Sequence, residues 1–195
     1  APEAGITRLL RVSRQNGGEP EVFYSLQGEG STMGKPSVFL RLATCNLACT
    51  WCDTKYTWGW ANFDYAREVV SLEVSQLEER ILGFDCPNLV ITGGEPLLQQ
   101  SDLIPLVTSL KSLGMRFEVE TNGTIAPGPE LARDIDQWNV SPKLANSGNP
   151  AEGREEPSAL AAFQQLPNAY FKFVVADPGD VDEVCGFRDR YSLPS

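Results

Sequence analysis

Apolar residues along this chain fall into two alternating spacings. From residue 38 onward, short runs rich in β-branched and aromatic residues read as strands: 38–43 (VFLRLA), 88–92 (NLVIT), 116–121 (RFEVET), 138–141 (WNVS) and 169–175 (AYFKFVV). Gly, Pro or Asn bounds them. Between them the apolar positions take a helical period. Residues 71–82 open at Ser71, ahead of Glu73 and Val74, and repeat Leu72, Leu77, Ile81 and Leu82. Residues 98–113 stop at Gly114, suited to a left-handed cap. Residues 129–136 begin with Pro129, in a first turn where the missing N–H has no helical partner to lose. Residues 158–166 and 180–191 complete the set.

This strand–helix alternation predicts an α/β fold with a parallel sheet and helices outside it. Five strands fall short of a closed eight-strand barrel, and the last element is a helix with no strand after it. Residues 143–157 (KLANSGNPAEGREEP) are polar and rich in Gly and Pro. They read as a mobile surface loop inside a single domain over 1–195, because the alternation resumes beyond them. The stretch 56–65 (YTWGWANFDY) is aromatic-rich, and the pattern leaves its role open.

Composition narrows the function. A chain of 195 residues can build a core without disulfides or a structural metal. No apolar run approaches the ~18 residues of a membrane span. The first 30 residues carry Glu3, Glu19, Glu21 and Glu29 and lack a signal peptide's apolar core, so the cytoplasm is the expected compartment. The start at Ala1-Pro2 is compatible with processing. A net charge of −10 argues against nucleic acid as a partner, since phosphate binding needs an excess of Lys and Arg. The chain has no histidine, which removes the commonest general base and every His-containing triad or zinc site. Chemistry is left to Cys, carboxylates, Lys, Arg, backbone or a cofactor.

Of five cysteines, Cys45, Cys49 and Cys52 lie within eight residues as Cys-x3-Cys-x2-Cys, directly after the first strong strand. α/β folds place active sites at such C-terminal strand ends. Three thiolates on one loop can hold a [4Fe–4S] cluster and leave one iron open. Zinc would need Cys86 or Cys185 as a fourth ligand, neither in a paired motif. Disulfides fit a cytoplasmic chain with an odd cysteine count poorly, and a ferredoxin would bring a fourth cysteine nearby. Cys86 and Cys185 read as buried apolar residues. Thr92-Gly93-Gly94-Glu95-Pro96, Glu120-Thr121-Asn122-Gly123 and Ser141-Pro142-Lys143 end three further strands on the same rim. The glycines let backbone approach a ligand closely, or simply make a turn. Glu120 and Asn122 also fit solvated loop starts. Ahead of the first strand, FYSLQGEG (23–30) reads by itself as a hairpin turn.

The cysteine loop, with Trp51 just before Cys52, resembles the signature of the radical S-adenosylmethionine superfamily. The resemblance implies an incomplete βα barrel with a [4Fe–4S] cluster on Cys45, Cys49 and Cys52. It also implies S-adenosylmethionine on the open iron, cleaved by one electron to a 5′-deoxyadenosyl radical, with no side chain as the catalytic group. Thr92–Pro96 is similar to the superfamily's glycine motif for the methionine amino group, and Glu120–Gly123 to a ribose or methionine contact. Within the superfamily, Ser25-Leu26-Gln27-Gly28-Glu29-Gly30, Arg41 and Cys52-Asp53-Thr54 resemble the 7-carboxy-7-deazaguanine synthase family, and Lys172-Phe173-Val174 extends the likeness. That implies radical ring contraction of 6-carboxy-5,6,7,8-tetrahydropterin to 7-carboxy-7-deazaguanine with loss of ammonia, on the route to queuosine and other 7-deazapurines.

The implied substrate residues are Leu26, Gln27, Gly28, Arg41 and Thr92, with Arg41 forking onto the carboxylate and Glu29 adding a contact. Thr54 is the implied Mg²⁺ ligand. Trp51, Cys52, Asp53, Gly94, Ser141, Pro142 and Lys143 would line S-adenosylmethionine. Partners implied are the pterin, a reducing protein such as flavodoxin, and a second copy in a homodimer. Family members continue into a Met-Pro-Glu-Gly-like segment, so the C-terminal end at Leu193-Pro194-Ser195 is expected to be incomplete. Two alternatives stand beside this: a glycyl-radical enzyme activase, which needs neither Arg41 nor the Gln27–Gly30 loop, and a non-enzymatic metal-binding protein.

Overall fold

The computed structural model describes residues 8–193; residues 1–7 and 194–195, where processing and a shortened C-terminus are expected, lie outside the described residues. Among the described residues one open sheet holds β1 (Leu9–Ser13), β2 (Val22–Leu26), β3 (Pro36–Leu42), β4 (Val69–Glu73), β5 (Asn88–Gly93), β6 (Arg116–Thr121), β7 (Gln137–Val140) and β8 (Ala169–Phe171). Their order is β4-β1-β3-β5-β6-β7-β8, with β2 also beside β3. The five strands expected from the sequence are β3 and β5 to β8, and they pair in parallel, Val38 with Leu89, Leu89 with Phe117, Val119 with Trp138 and Trp138 with Ala169. The sheet does not close, as an incomplete barrel requires. β8 is shorter than the apolar run 169–175, because its pairing partner β7 ends at Val140.

The helices are α1 (Tyr65–Glu68), α2 (Val74–Leu82), α3 (Gln100–Ser112), α4 (Pro129–Asp134), α5 (Ala151–Arg154), α6 (Pro157–Gln164) and α7 (Pro178–Tyr191). Three strands escape the sequence pattern. β1 and β4 pair antiparallel, Leu10 opposite Leu72, so the helix expected from Ser71 starts only at Val74. Leu72 satisfies both periods, and the β-branched Val69 and Val70 tip residues 69–73 into the sheet. The Gln76 side chain accepts the Glu73 N–H and closes the helix start in place of Ser71. β2 runs antiparallel to β3 with Phe23 stacked on Phe39 at 5.3 Å, so FYSLQGEG is half strand and only then a turn.

The two faces of the parallel strands have opposite chemistry, since side chains alternate along a strand. Leu40, Leu42, Leu89, Ile91, Phe117, Val119, Trp138 and Val140 pack with Leu77, Ile81, Leu103, Leu106, Leu110 and Phe163 in one core. Alternate positions carry Arg41, Thr92, Glu118, Glu120, Gln137 and Asn139, which the registers bring onto the other face. That face lines the barrel interior.

Two expectations are corrected here. Residues 143–157 are not simply surface: they contain α5 and bury Leu144, Ser147 and Arg154. Cys185 is exposed and Cys86 half-buried, rather than both in the core; Cys86 directs its thiol at the Pro36 carbonyl. No helix among the described residues is long and apolar enough to cross a membrane.

Candidate active site

A cavity of about 540 Å³ opens at the C-terminal ends of the parallel strands, within the range of small-molecule sites. Its frame is set by backbone. β3 ends at Leu42, and Thr44, at φ +74°, turns the chain into the cysteine loop. The glycines after β5 seat that root: a Cβ at Gly93 would lie 2.1 Å from the Leu42 carbonyl oxygen, and one at Gly94 2.0 Å from that of Thr44. The close approach these glycines permit is to the chain's own backbone. Glu95, fully buried, accepts from the Leu97 N–H at 3.0 Å, the Thr121 hydroxyl at 2.9 Å and the Asn122 N–H at 2.7 Å. Burial pushes its carboxyl up while those three donors pull it back. It joins the ends of β5 and β6.

Cys45, Cys49 and Cys52 all line this cavity and none is in a disulfide. Each sulfur faces an N–H: Leu47 to Cys45 at 3.5 Å, Asn149 Nδ2 to Cys49 at 3.2 Å and Trp58 Nε1 to Cys52 at 3.4 Å. Such donors favour the thiolate that binds metal. Burial works against them, pushing the Cys45 thiol up to about 11, as it does for soft ligands waiting in an apolar wall. No three His, Cys, Asp or Glu side chains among the described residues gather as tightly as the ligands of one ion would. Three free thiols on one loop lining one cavity are the donor type that holds a four-iron cluster with one iron left open.

Trp51 lines the cavity beside the cysteines and gives its indole N–H to Asn146 Oδ1 at 3.1 Å. Lys143 Nζ lies 5.5 Å over the Trp51 ring and donates to Ser141 Oγ at 2.9 Å. Burial lowers the Lys143 ammonium below the usual lysine range. Asp53, Thr54, Gly94, Ser141 and Lys143 share the lining; Pro142 is buried behind it.

A further part of the lining is polar. Thr92 Oγ1 donates to Glu120 Oε2 at 2.7 Å. Lys172 pairs with Glu29 across the opening, and burial, then the Glu29 charge, pushes the Glu120 carboxyl up. Arg41 lines the cavity with its Nε 3.4 Å from Glu21, whose two oxygens each accept the Tyr56 hydroxyl at 2.9 Å. Tyr56, from the aromatic stretch, thus braces the arginine's anchor. Gln27 is buried beneath this wall and donates to Glu118 and Glu120 at 3.2 Å each. Leu26, 59% exposed, and Gly28, with open space around it, stand outside the lining. Of the expected substrate set, the fold brings Arg41, Thr92 and the added contact Glu29 to the cavity surface.

Several contributors have no signal in the sequence. Glu118, 1% exposed, accepts the Thr32 hydroxyl at 2.8 Å and pairs with Arg116, plugging the barrel floor. Trp58 and Asn149 touch the sulfurs from outside the motif. Lys172 alone had a sequence signal, in the matched run 172–174.

Residues 41–142 match the family model of the radical SAM superfamily, a span from Arg41 through the cysteine loop to Pro142. The chain is 42% identical over 175 residues to the 7-carboxy-7-deazaguanine synthase of Pyrobaculum aerophilum, covering 89% of this chain and 73% of that protein. It is 42% identical over 178 residues to the enzyme of the same name from Hyperthermus butylicus, covering 89% and 72%. The crystal structure of QueE from Escherichia coli superposes with a TM-score of 0.68 at 29% identity, over 93% of this chain and 78% of that one.

Proposed function

Because the chain belongs to the radical SAM superfamily and, within it, to the 7-carboxy-7-deazaguanine synthases, we propose that the cavity at the strand ends is where it converts 6-carboxy-5,6,7,8-tetrahydropterin to 7-carboxy-7-deazaguanine and ammonia. One observation carries this reading: three free cysteines and Arg41 line the same cavity. Cys45, Cys49 and Cys52 would hold a [4Fe–4S] cluster, which with S-adenosylmethionine supplies the 5′-deoxyadenosyl radical that opens the reaction.

The chain's own residues then do four things. Arg41 grips the substrate carboxylate; its position on an inward strand face, anchored by Glu21, presents the guanidinium rather than leaving it to solvent. Thr92 and Glu120 form a hydrogen-bonding wall for the pterin edge, and Gln27 holds Glu120 from behind. Trp51, Asp53, Gly94, Ser141 and Lys143, which line the cavity, would hold S-adenosylmethionine, with Lys143 supplying a cation for its carboxylate. The Thr54 hydroxyl, 3.6 Å from the Cys52 sulfur, is a hard oxygen at the cavity wall and would be the side chain that holds Mg²⁺. A reducing partner such as flavodoxin, a homodimer, a cytoplasmic location and a single domain over 1–195 complete the proposal on the strength of family membership.

Anaerobically reconstituted protein, given reductant, S-adenosylmethionine, Mg²⁺ and the carboxytetrahydropterin, should yield the deazaguanine acid by mass analysis. No product from a chain carrying a full four-iron complement overturns the reading. A glycyl-radical activase would in addition tolerate Arg41→Ala.

A further inference from the structure

Residues 144–149 clasp the cysteine loop from outside the motif. The Thr50 N–H donates to the Ser147 carbonyl at 2.9 Å, and Gly148, at φ +77°, leaves so little room that a Cβ there would lie 2.7 Å from Thr50 Cγ2. At the centre stands Asn149. Its Oδ1 accepts the Ala48 N–H at 2.9 Å, and its Nδ2 lies 3.2 Å from Cys49 Sγ. The amide's orientation follows from chemistry: the Ala48 N–H can only donate, so the oxygen must face it and the NH₂ must face the sulfur. Ser147 Oγ, 3.1 Å from Nδ2, accepts the second amide proton. Every polar atom of this side chain is thereby committed to residues 48–49 or to the loop that holds it.

We propose that Asn149 is a positioning residue for the cluster, fixing Cys49 through its two-point contact and feeding an N–H to that sulfur so that the bound cluster accepts its electron more readily. The inference rests on the proposed cluster at Cys45, Cys49 and Cys52. Its physical basis is that an added electron spreads onto the thiolate sulfurs, and a donor aimed at one of them stabilises the reduced form more than the oxidised one. Asn149 belongs to the polar stretch that reads as free surface, and nothing in the Cys-x3-Cys-x2-Cys spacing points to it.

The test uses the reconstituted full chain with asparagine-¹⁵N labelling and unlabelled S-adenosylmethionine. Pulsed EPR of the reduced cluster should show a ¹⁵N coupling with an exchangeable proton, and Asn149→Leu should abolish it. In a mediated redox titration, Asn149→Leu should lower the reduced-to-oxidised ratio at fixed poise about tenfold, equivalent to about 59 mV for a one-electron couple. Ser147→Ala, which loosens the loop but leaves the sulfur contact, should move the potential far less. Asn149→Asp keeps the Ala48 bond without a donor and serves if the leucine variant fails to load iron. A coupling that persists in the variants, or an unchanged potential, overturns the inference. A wild-type chain that takes up no cluster sinks the proposed function instead, so the two failures are distinguishable.

Discussion

Replacing Gly94 with Ala tests whether the glycine motif works by seating backbone on backbone. The new methyl would sit 2.0 Å from the Thr44 carbonyl oxygen and 2.9 Å from Cys45 Cβ. Ordinary contact begins near 3.4 Å, so the root of the cysteine loop must retreat by about 1.4 Å. Two hydrogen bonds resist that movement, Gly94 N–H to the Leu42 carbonyl at 3.1 Å and Glu95 N–H to the Thr44 carbonyl at 2.9 Å. Overpacking costs about 1–3 kcal/mol, and each buried bond lost adds about 1–3 kcal/mol. A total of about 3–9 kcal/mol is a large share of the roughly 5–15 kcal/mol that holds a domain together. At about 2–4 °C per kcal/mol for a chain of this size, the Tm of the reduced, iron-free variant should fall by about 6–36 °C. Reconstituted iron content should drop as well, because Cys45 moves with Thr44. Thermal unfolding by circular dichroism and iron analysis read the two effects. Gly28→Ala is the control, since a Cβ there meets nothing within 4 Å, and its Tm should not change. A Gly94→Ala chain that melts within about 2 °C of wild type and loads full iron would refute the reasoning.

Three further outcomes follow from the same geometry. Arg41→Ala should lower kcat/KM by about 10²-fold or more, the scale of a lost buried ion pair, with Arg41→Lys restoring little because the fork is gone; retained turnover would remove Arg41 from substrate binding. Glu95→Gln should destabilise by about 1–3 kcal/mol, since its NH₂ must confront the N–H of either Asn122 or Leu97, and a Tm equal to wild type in thermal melts would contradict this. In iron-free protein at pH 8, iodoacetamide should label the exposed Cys185 well before Cys45, whose thiol, raised from 9.0 to about 11 by burial, holds about a hundredfold less thiolate. Cys45 labelling should speed up about tenfold per pH unit until pH approaches 11. Peptide mass spectrometry checks this order, and equal rates at pH 8 would contradict it.

The five parallel strands, the cysteine loop and the polar strand ends were legible in the chain because each is written locally. Period-two alternation marks a strand, and apolar runs such as 88–92 need no partner to be recognised. Arg41 and Thr92 were singled out by family resemblance, and for Arg41 its place inside an apolar strand agreed. What escaped was non-local. β1 pairs with β4 some sixty residues on, and Leu72 suits a helix as well as that pairing, so only the neighbouring strand chose. The Asn149 contact with Cys49 spans 100 residues, and the Glu118 plug joins four separate segments. Gln27, expected on the substrate, instead ties Glu118 to Glu120, because the β2–β3 hairpin folds it under the floor. Residue types and spacing thus determined by themselves which chemistry this chain can carry, and tertiary structure alone decided which distant donors surround it, since a hydrogen bond across the barrel leaves no periodic trace in either of the segments it joins.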